Sequence, residues 1–348
     1  MLTENSMNEI SVIVTAYNIE KYIGRCLDEL LEQSYQDFNV LIVDDSSTDK
    51  TAAIAEDYAQ KYPGKICFLS TPVNLGAPSL TRNFALDSWF GGSKYLIFLD
   101  GDDRIEPNFL ENLHSCAEET KADITVCAYD RVEEGTGHIL CREMRFPNTM
   151  ILNPSGDERL AFFNTAPWNK LIRSSIITSL RFPDIRFVDD VGFFLELCKK
   201  ANTVATLNEI LIHYQVRPNS GITKLDEKNI WDFADNMRQR LIDAKNDSRY
   251  YELLALSTFI HIGISMPMRA FDNPAINKGV FLKKIRNYLY VNNLMGRREF
   301  LSFSRLLKHG IRGIAIWGCR FLYRVRGMGI FLRLYGFCKR ILKIDVKF

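Results

Sequence analysis

The sequence lacks most of the short motifs that announce an enzyme class. Its eight cysteines (Cys26, Cys67, Cys116, Cys127, Cys141, Cys198, Cys319 and Cys338) never pair as C-x-x-C. That argues against a zinc site or a disulfide framework and for buried, reduced thiols. Neither G-x-G-x-x-G nor G-x-x-x-x-G-K-[ST] follows a strand-like run, which speaks against a dinucleotide-dependent dehydrogenase and a P-loop NTPase. No apolar run reaches the length of a membrane-spanning helix, and the opening MLTENSMNEI lacks the basic-then-apolar pattern of a secretory signal. A cytoplasmic protein is expected. No internal repeat or low-complexity block is visible.

What is present is an ordinary globular balance of 47% hydrophobic and 25% charged residues in 348. The net charge of +2 hides an asymmetry: residues 296–348 hold 13 Lys/Arg against Glu299 and Asp345, a local +11, leaving −9 for the remainder. This pattern predicts an acidic globular body with a basic tail that meets something anionic.

Short β-rich runs alternate with amphipathic helical runs through the first part. ISVIVTAY reads as a strand, and Ile23, Leu27, Leu30 and Leu31 then share one helix face. FNVLIVD, KICFLST, KYLIFLD and ADITVCAYD are further strands separated by helical stretches. The segment from about Glu133 to Pro154 reads as a loop or hairpin. RLAFFNTAPWNKLI and VDDVGFFLELCKKA are expected to be helical, and LNEILIHYQVRPNSGIT a strand entering a polar loop. Beyond about Leu225 only helical segments follow. Apolar strands alternating with helices predict a mainly parallel sheet covered on both faces, with ligands at the carboxyl ends of the strands. Thr15, Asp44, Asp45 and Asp100 to Asp103 then fall along one rim.

KYLIFLDGDDR ends a buried strand in three carboxylates, Asp100, Asp102 and Asp103. Like charges this close call for a cation, and a short D-x-D suits Mg²⁺ or Mn²⁺ completed by substrate phosphates. Taken alone, the motif is matched evenly by a solvated turn with a helix cap at Asp102 or Asp103. Gly101 between them would let a ligand approach the backbone. IVDDSSTDKT brings Asp44 and Asp45, suited to accept from a base N–H or a ribose hydroxyl, beside cap candidates Ser46, Ser47 and Asp49. VTAYN adds a hydroxyl and an aromatic ring, and NLGAPSLTRN brings Arg82 and Asn83 to the same rim.

In this order and spacing, ISVIVTAYN, VLIVDDSSTDKT, NLGAPSLTRN and LIFLDGDDRIEP resemble the family 2 glycosyltransferases of the GT-A fold. WNKLI, RFVDDVGFF and IHYQVRPNSGIT are similar to acceptor-side motifs of the polysaccharide and teichoic-acid branches. The resemblance covers about Asn8 to Thr223. It implies a Rossmann-like GT-A domain over 8–223; beyond it the chain's own pattern reads as a helical appendage over 224–295 and the basic tail over 296–348. It further implies that Thr15, Tyr17 and Asp45 hold the nucleotide base, usually uracil, with Asp44 supporting them and Arg82 near base and phosphates. Asp102 would be the direct metal ligand, with Asp100 facing ribose or ordered water. Asp190 matches the catalytic base, with Asp189 where the family usually has Glu. Arg217 and Ser220 match a loop closing over the diphosphate, although Gly221 interrupts the usual NSIT.

The expected activity is therefore inverting transfer from a UDP-sugar to a growing surface glycan, free or lipid-linked, with Mn²⁺ or Mg²⁺. The chemistry agrees: departure of a nucleoside diphosphate puts negative charge on phosphates that a cation can neutralise, and a carboxylate takes the acceptor proton. A sugar-phosphate nucleotidyltransferase is the enzymatic alternative, but it would carry a glycine-rich loop near the N-terminus. A non-catalytic glycan-binding scaffold is the other. Trp168 fits an acceptor platform or a core position equally well, His213 a packed or hydrogen-bonded position, and Phe259, Met266 and Met268 a helical core. In the tail, basic residues mix with Trp317, Phe321, Tyr323, Phe331 and Phe337 at amphipathic spacing. The expected partner is the inner face of an anionic membrane; nucleic acid is the disfavoured rival, and a helical bundle or oligomer contact the structural alternative.

Overall fold

A computed structural model describes residues 8–89, 92–146, 149–154, 157–216, 226–271, 273–296 and 301–342. The described residues form two compact units: 8–154 with 164–216, and 157–163 with 226–342.

The first unit alternates strands and helices. In chain order these are β1 (Ile10–Ala16), α1 (Ile23–Leu31), β2 (Phe38–Asp44), α2 (Thr51–Lys61), β3 (Ile66–Ser70), α3 (Pro78–Ser88), β4 (Tyr95–Asp100), β5 (Arg104–Ile105) and α4 (Phe109–Thr120). There follow β6 (Ile124–Glu133), β7 (Ile139–Glu143), β8 (Ile151–Leu152), β9 (Lys170–Arg173), α5 (Ser174–Ile177), α6 (Asp189–Lys200) and β10 (Val204–Val216). β1, β2 and β4 are almost wholly buried, as expected of strands covered on both faces. On α1 the buried stripe is Ile23, Cys26, Leu27 and Leu30, so Cys26 is buried where the spacing pointed to Leu31.

The strands form one sheet in the order β3-β2-β1-β4-β9-β6-β10-β5, with β7 on β6 and β8 on β10. The expected parallel pairing holds for β3, β2, β1 and β4, and for β6 with β10. β9 is antiparallel to both of its neighbours and joins these halves. The sheet is therefore mixed. Residues 159–172 also depart from the helical expectation: 3₁₀ turns at Glu158–Phe162 and Pro167–Asn169 lead into β9. Pro167 has no amide hydrogen to continue a helix, and Leu171 and Ile172 fill a gap in the centre of the sheet instead.

Register sets the rim. Thr15 lies opposite Asp100 on β4 and Val43 on β2, while Ala16 lies opposite Asp44. The Thr15, Asp44 and Asp100 backbones thus end at nearly one level, at the carboxyl edge of three adjacent strands.

The second unit is helical: α7 (Glu227–Asp243), α8 (Ser248–Thr258), a π-helical stretch Phe259–Ser265, α9 (Met266–Phe271), α10 (Lys278–Val291), α11 (Phe303–Leu307), α12 (Gly310–Arg324) and α13 (Met328–Leu342). The continuous run Ser248–Phe271 is long and apolar enough to cross a membrane, a length the sequence alone did not suggest. Its apolar window is 78% buried within the protein, as for a core helix. Pro267 cannot donate to the carbonyl four residues back, Gly263 O, and the buried Tyr323 hydroxyl donates to that oxygen at 2.8 Å instead. The 157–163 segment is held here by Glu158, which pairs with Arg305 at 2.9 Å and His309 at 3.0 Å.

Candidate active site

The three carboxylates after β4 divide into different tasks. Asp100 Oδ1 accepts from Arg82 at 2.6 Å and from the Thr15 hydroxyl at 3.3 Å. Asp103 is buried and accepts the Gln215 amide of β10 at 3.0 Å, a structural role. Asp102 is half-buried at the turn, with its carbonyl bound by Arg25 at 3.0 Å. Neither Asp102 nor Asp103 caps α4, which begins at Phe109.

Gly101 is required by the protein rather than by a ligand. Its amide donates to Thr15 O at 3.1 Å. A Cβ there would lie 2.8 Å from Ile19 Cδ1, 3.0 Å from Ile23 Cδ1 and 3.3 Å from Thr15 O. The expected space for a ligand at this residue is filled by the β1–α1 connection.

Arg82 is the centre of the rim. It is only 5% exposed and points to Asp100, and the charges of Asp189 and Asp190 also act on it. Burial works against its charge, but Asp100, Asp189 and Asp190 together outweigh this and hold its pKa above the usual range. One guanidinium thus serves both the β4 motif and the acidic pair at the N-terminus of α6, which are 89 residues apart in sequence (Asp100 to Asp189).

That pair is asymmetric. The Asp189 carboxyl is pushed up to about 6, first by burial and then by repulsion from Asp190, with Arg82 opposing. Asp190 Oδ2 accepts from the Thr165 hydroxyl at 2.9 Å. Thr165 belongs to a turn built around Lys170, a fully buried lysine whose Nζ donates to Asn164 O at 2.7 Å, Ala166 O at 2.6 Å and Asn169 Oδ1 at 2.7 Å. Burial lowers the Lys170 pKa to about 7, against the pull of Asp190. Neither Thr165 nor Lys170 was singled out from sequence, because nothing local ties them to a carboxylate at Asp190. Trp168 from the same turn is buried, stacked on Tyr214 with centroids 5.6 Å apart and edge-on to Tyr129 at 4.6 Å. It is a core residue.

On the β1–β2 side, Asp45 is buried and holds the β3–α3 connection. It accepts from Thr71 Oγ1 at 3.0 Å, Asn74 Nδ2 at 3.0 Å and the Leu75 amide at 2.9 Å. Thr71 and Asn74 are thus further rim residues, marked in sequence only by lying in a turn-prone stretch. Asp44 accepts the Ser47 amide at 2.9 Å through Oδ2. Tyr17 is 48% exposed. Asn18 Oδ1 accepts the Thr48 amide at 2.8 Å, stitching the loops after β1 and β2 together. Arg217 and Ser220 lie outside the described residues.

Two signs of a built site accompany this geometry. Asp44 Oδ1 and Arg82 Nε are shut off from solvent with no hydrogen-bond partner among the described residues, a costly state for polar atoms. Asn18, Ser46 and Val188 adopt positive φ (49°, 54° and 56°) directly beside Tyr17, Asp45 and Asp189. For β-branched Val188 this is a strained conformation of the kind concentrated at functional sites.

The donor set also fits a hard divalent cation. Asp100 and Asp102 offer carboxylate oxygens, although Arg82 and Thr15 already hold Asp100 Oδ1, so a cation there would need phosphate oxygens to fill its shell. The grouping Glu9, His114 and Glu118, with ligand atoms within 4.8 Å, lies instead at the amino ends of the strands. There Lys94 Nζ, 2.6 Å from Glu118, supplies the positive charge. His213 donates to or accepts from Asp130 and Glu106, both at 2.7 Å, a hydrogen-bonded position as expected.

Comparison with known proteins agrees with this arrangement. Residues 11–181 match the model of glycosyl transferase family 2. GlyA of Streptococcus pneumoniae, a glycosyltransferase, is 29% identical over 243 residues, 67% of this chain and 34% of that one. EpsJ of Bacillus subtilis, an uncharacterized glycosyltransferase, is 30% identical over 231 residues, 64% of this chain and 65% of that one. The chain thus spans about a third and just under two thirds of these relatives. The structure of TarS residues 1–349 from S. aureus in complex with UDP-GlcNAc superimposes with a TM-score of 0.71 at 22% identity, covering 91% of both chains, so the GT-A fold is shared. The unit that carries this rim belongs to glycosyl transferase family 2.

Proposed function

We propose that this protein transfers a sugar, with inversion, from a UDP-sugar to a hydroxyl of a growing surface glycan, plausible acceptors being teichoic-acid-like or exopolysaccharide chains that are lipid-linked. The observation that carries this reading is Arg82, the buried cation common to Asp100 and to the Asp189–Asp190 pair. It brings a leaving-group side and an acceptor side to one rim. The UDP-GlcNAc complex of the similar TarS supports a UDP-linked donor.

Exposed Tyr17 would stack on the base, with Thr15, Asp44 and the Asp45-bound loop shaping its pocket. Asp102 and Asp100 would hold Mn²⁺ or Mg²⁺, which supplies neutralisation of charge on the departing diphosphate. The acceptor hydroxyl attacks the anomeric carbon as the bond to the diphosphate breaks, and its proton passes to Asp190. The Thr165 hydroxyl fixes Oδ2 of that carboxylate and leaves Oδ1 to receive the proton. Asp189, its carboxyl pushed up by burial and by the Asp190 charge and opposed by Arg82, sets the field around the base.

The test is release of UDP from UDP-sugars with Mn²⁺, with and without a polyol-phosphate or glycan acceptor, by wild type and Asp190→Asn. The variant should lose on the order of 10²- to 10⁴-fold in kcat, with donor affinity by calorimetry unchanged. Full activity of Asp190→Asn would refute the base; no UDP release from any UDP-sugar would refute the reaction.

A further inference from the structure

α12 is apolar on two sides. Ile316, Cys319 and Tyr323 face the interior of the helical unit and are buried. On the opposite side Ile311, Ile314, Trp317, Phe321 and Val325 are exposed, at 85%, 46%, 40%, 51% and 55%. At 100° per residue these five fall within about 120° of arc, one continuous stripe. Phe303 of α11, 47% exposed, extends it, its ring meeting Trp317 at 5.1 Å, while Trp317 stacks on Phe321 at 6.1 Å. Leu307, Ile330 and Leu334 add exposed apolar surface on α11 and α13. Contiguous patches of this kind mark interaction sites.

The charges on the same helices decide the partner. From residue 301 to 342 the chain has nine Lys/Arg and no Asp or Glu. Lys308, Arg312, Arg324, Arg326 and Arg333 are exposed, while Arg320 is buried and used inside, donating to Gly296 O at 2.8 Å. A second copy docking on this face would bring basic helices together with no carboxylate of their own to offset them. An anionic lipid surface accepts both features: the aromatic stripe enters the interface and the basic residues meet phosphates.

We propose that the stripe Phe303, Ile311, Ile314, Trp317, Phe321 and Val325 is a membrane-contact face that lies in the interface of an anionic bilayer without crossing it. This narrows the anionic partner expected of the basic tail to one face made by α12, the residue that caps it and Phe303 of α11. It requires nothing from the reaction proposed above.

The experiment is flotation of the full chain with vesicles of phosphatidylcholine alone or with phosphatidylglycerol added. Wild type should float with the phosphatidylglycerol vesicles, less so at high salt, and stay in solution with phosphatidylcholine. Trp317→Ser/Phe321→Ser should abolish flotation while its thermal melt matches wild type. Each exposed basic residue neutralised, at Lys308, Arg326 or Arg333, should lower vesicle partitioning by about fivefold. Failure of wild type to float with anionic vesicles overturns the proposal, as does flotation insensitive to the double variant. A concentration-dependent dimer in light scattering that the double variant abolishes would also overturn it, in favour of a second copy.

Discussion

At the carboxyl rim of the α/β unit charged groups are buried and neutralise one another, whereas on α11–α13 large apolar groups are exposed and the charges around them have one sign. Arg82 is nearly inaccessible among Asp100, Asp189 and Asp190; Ile311 and Phe321 are largely open to water. Each region inverts the usual rule of apolar inside and charged outside. Where polar atoms are buried without partners the missing partner is polar, and where apolar surface is left bare beside cations the missing partner is apolar and anionic.

If this contrast is sound, substitutions in the two regions should differ most in stability. Arg82→Met removes the only cation that the rim carboxylates share among the described contacts. It should cost on the order of 3–5 kcal/mol in urea denaturation, since it leaves partly buried carboxylates uncompensated. A loss under about 1 kcal/mol would mean that solvent, not Arg82, balances them. Gly101→Ala forces a methyl against Ile19 and the Thr15 carbonyl and should cost about 1–3 kcal/mol by the same measurement.

Asp189→Asn should act in the opposite direction. The folded-state pKa of Asp189 is raised, so the folded protein holds this proton more tightly than the unfolded chain. That contribution is present below the ordinary carboxylate pKa and is lost as pH rises through about 6. The asparagine variant has no such loss. Its stability relative to wild type should improve by about 1–2 kcal/mol between about pH 5 and pH 8, read from paired denaturation curves. The smallest effect is expected on the helical unit: Phe321→Ser should change stability by less than about 0.5 kcal/mol, because about half of the residue is already open to water and its ring stacks on the exposed Trp317.

Much of this was legible in the sequence, and the limits were physical. The strands β1, β2, β4, β6 and β10 were readable because their apolar runs satisfy local rules of burial and period. The rim followed, because parallel strands end together. Residues 159–172 were misread as helix because β9 is specified by its neighbours β4 and β6 rather than by its own four residues. The D-x-D-D run suggested a cation, but which carboxylate meets Arg82 and which supports β10 depended on register. Trp168 was ambiguous until Tyr214 and Tyr129 were seen around it. Thr165 was invisible, since a hydroxyl 25 residues from Asp190 leaves no trace in local pattern, and Lys170 stood inside WNKLI with no role of its own. On α12 the aromatic and basic spacing was plain, yet which side the fold would cover was not.

The place of β9 in the sheet also sets an order of assembly. β4 and β6 are close in sequence but do not pair with each other; Leu96 and Ile124 both pair with Ile172. Until residue 173 has been synthesised, β4 and β6 each present an open strand edge to the other and to neighbouring chains. A chain ending at Asn169 should therefore be insoluble, with light scattering rising with concentration. One ending after β10 should fold, and the same two sheet halves would then be sealed by four residues.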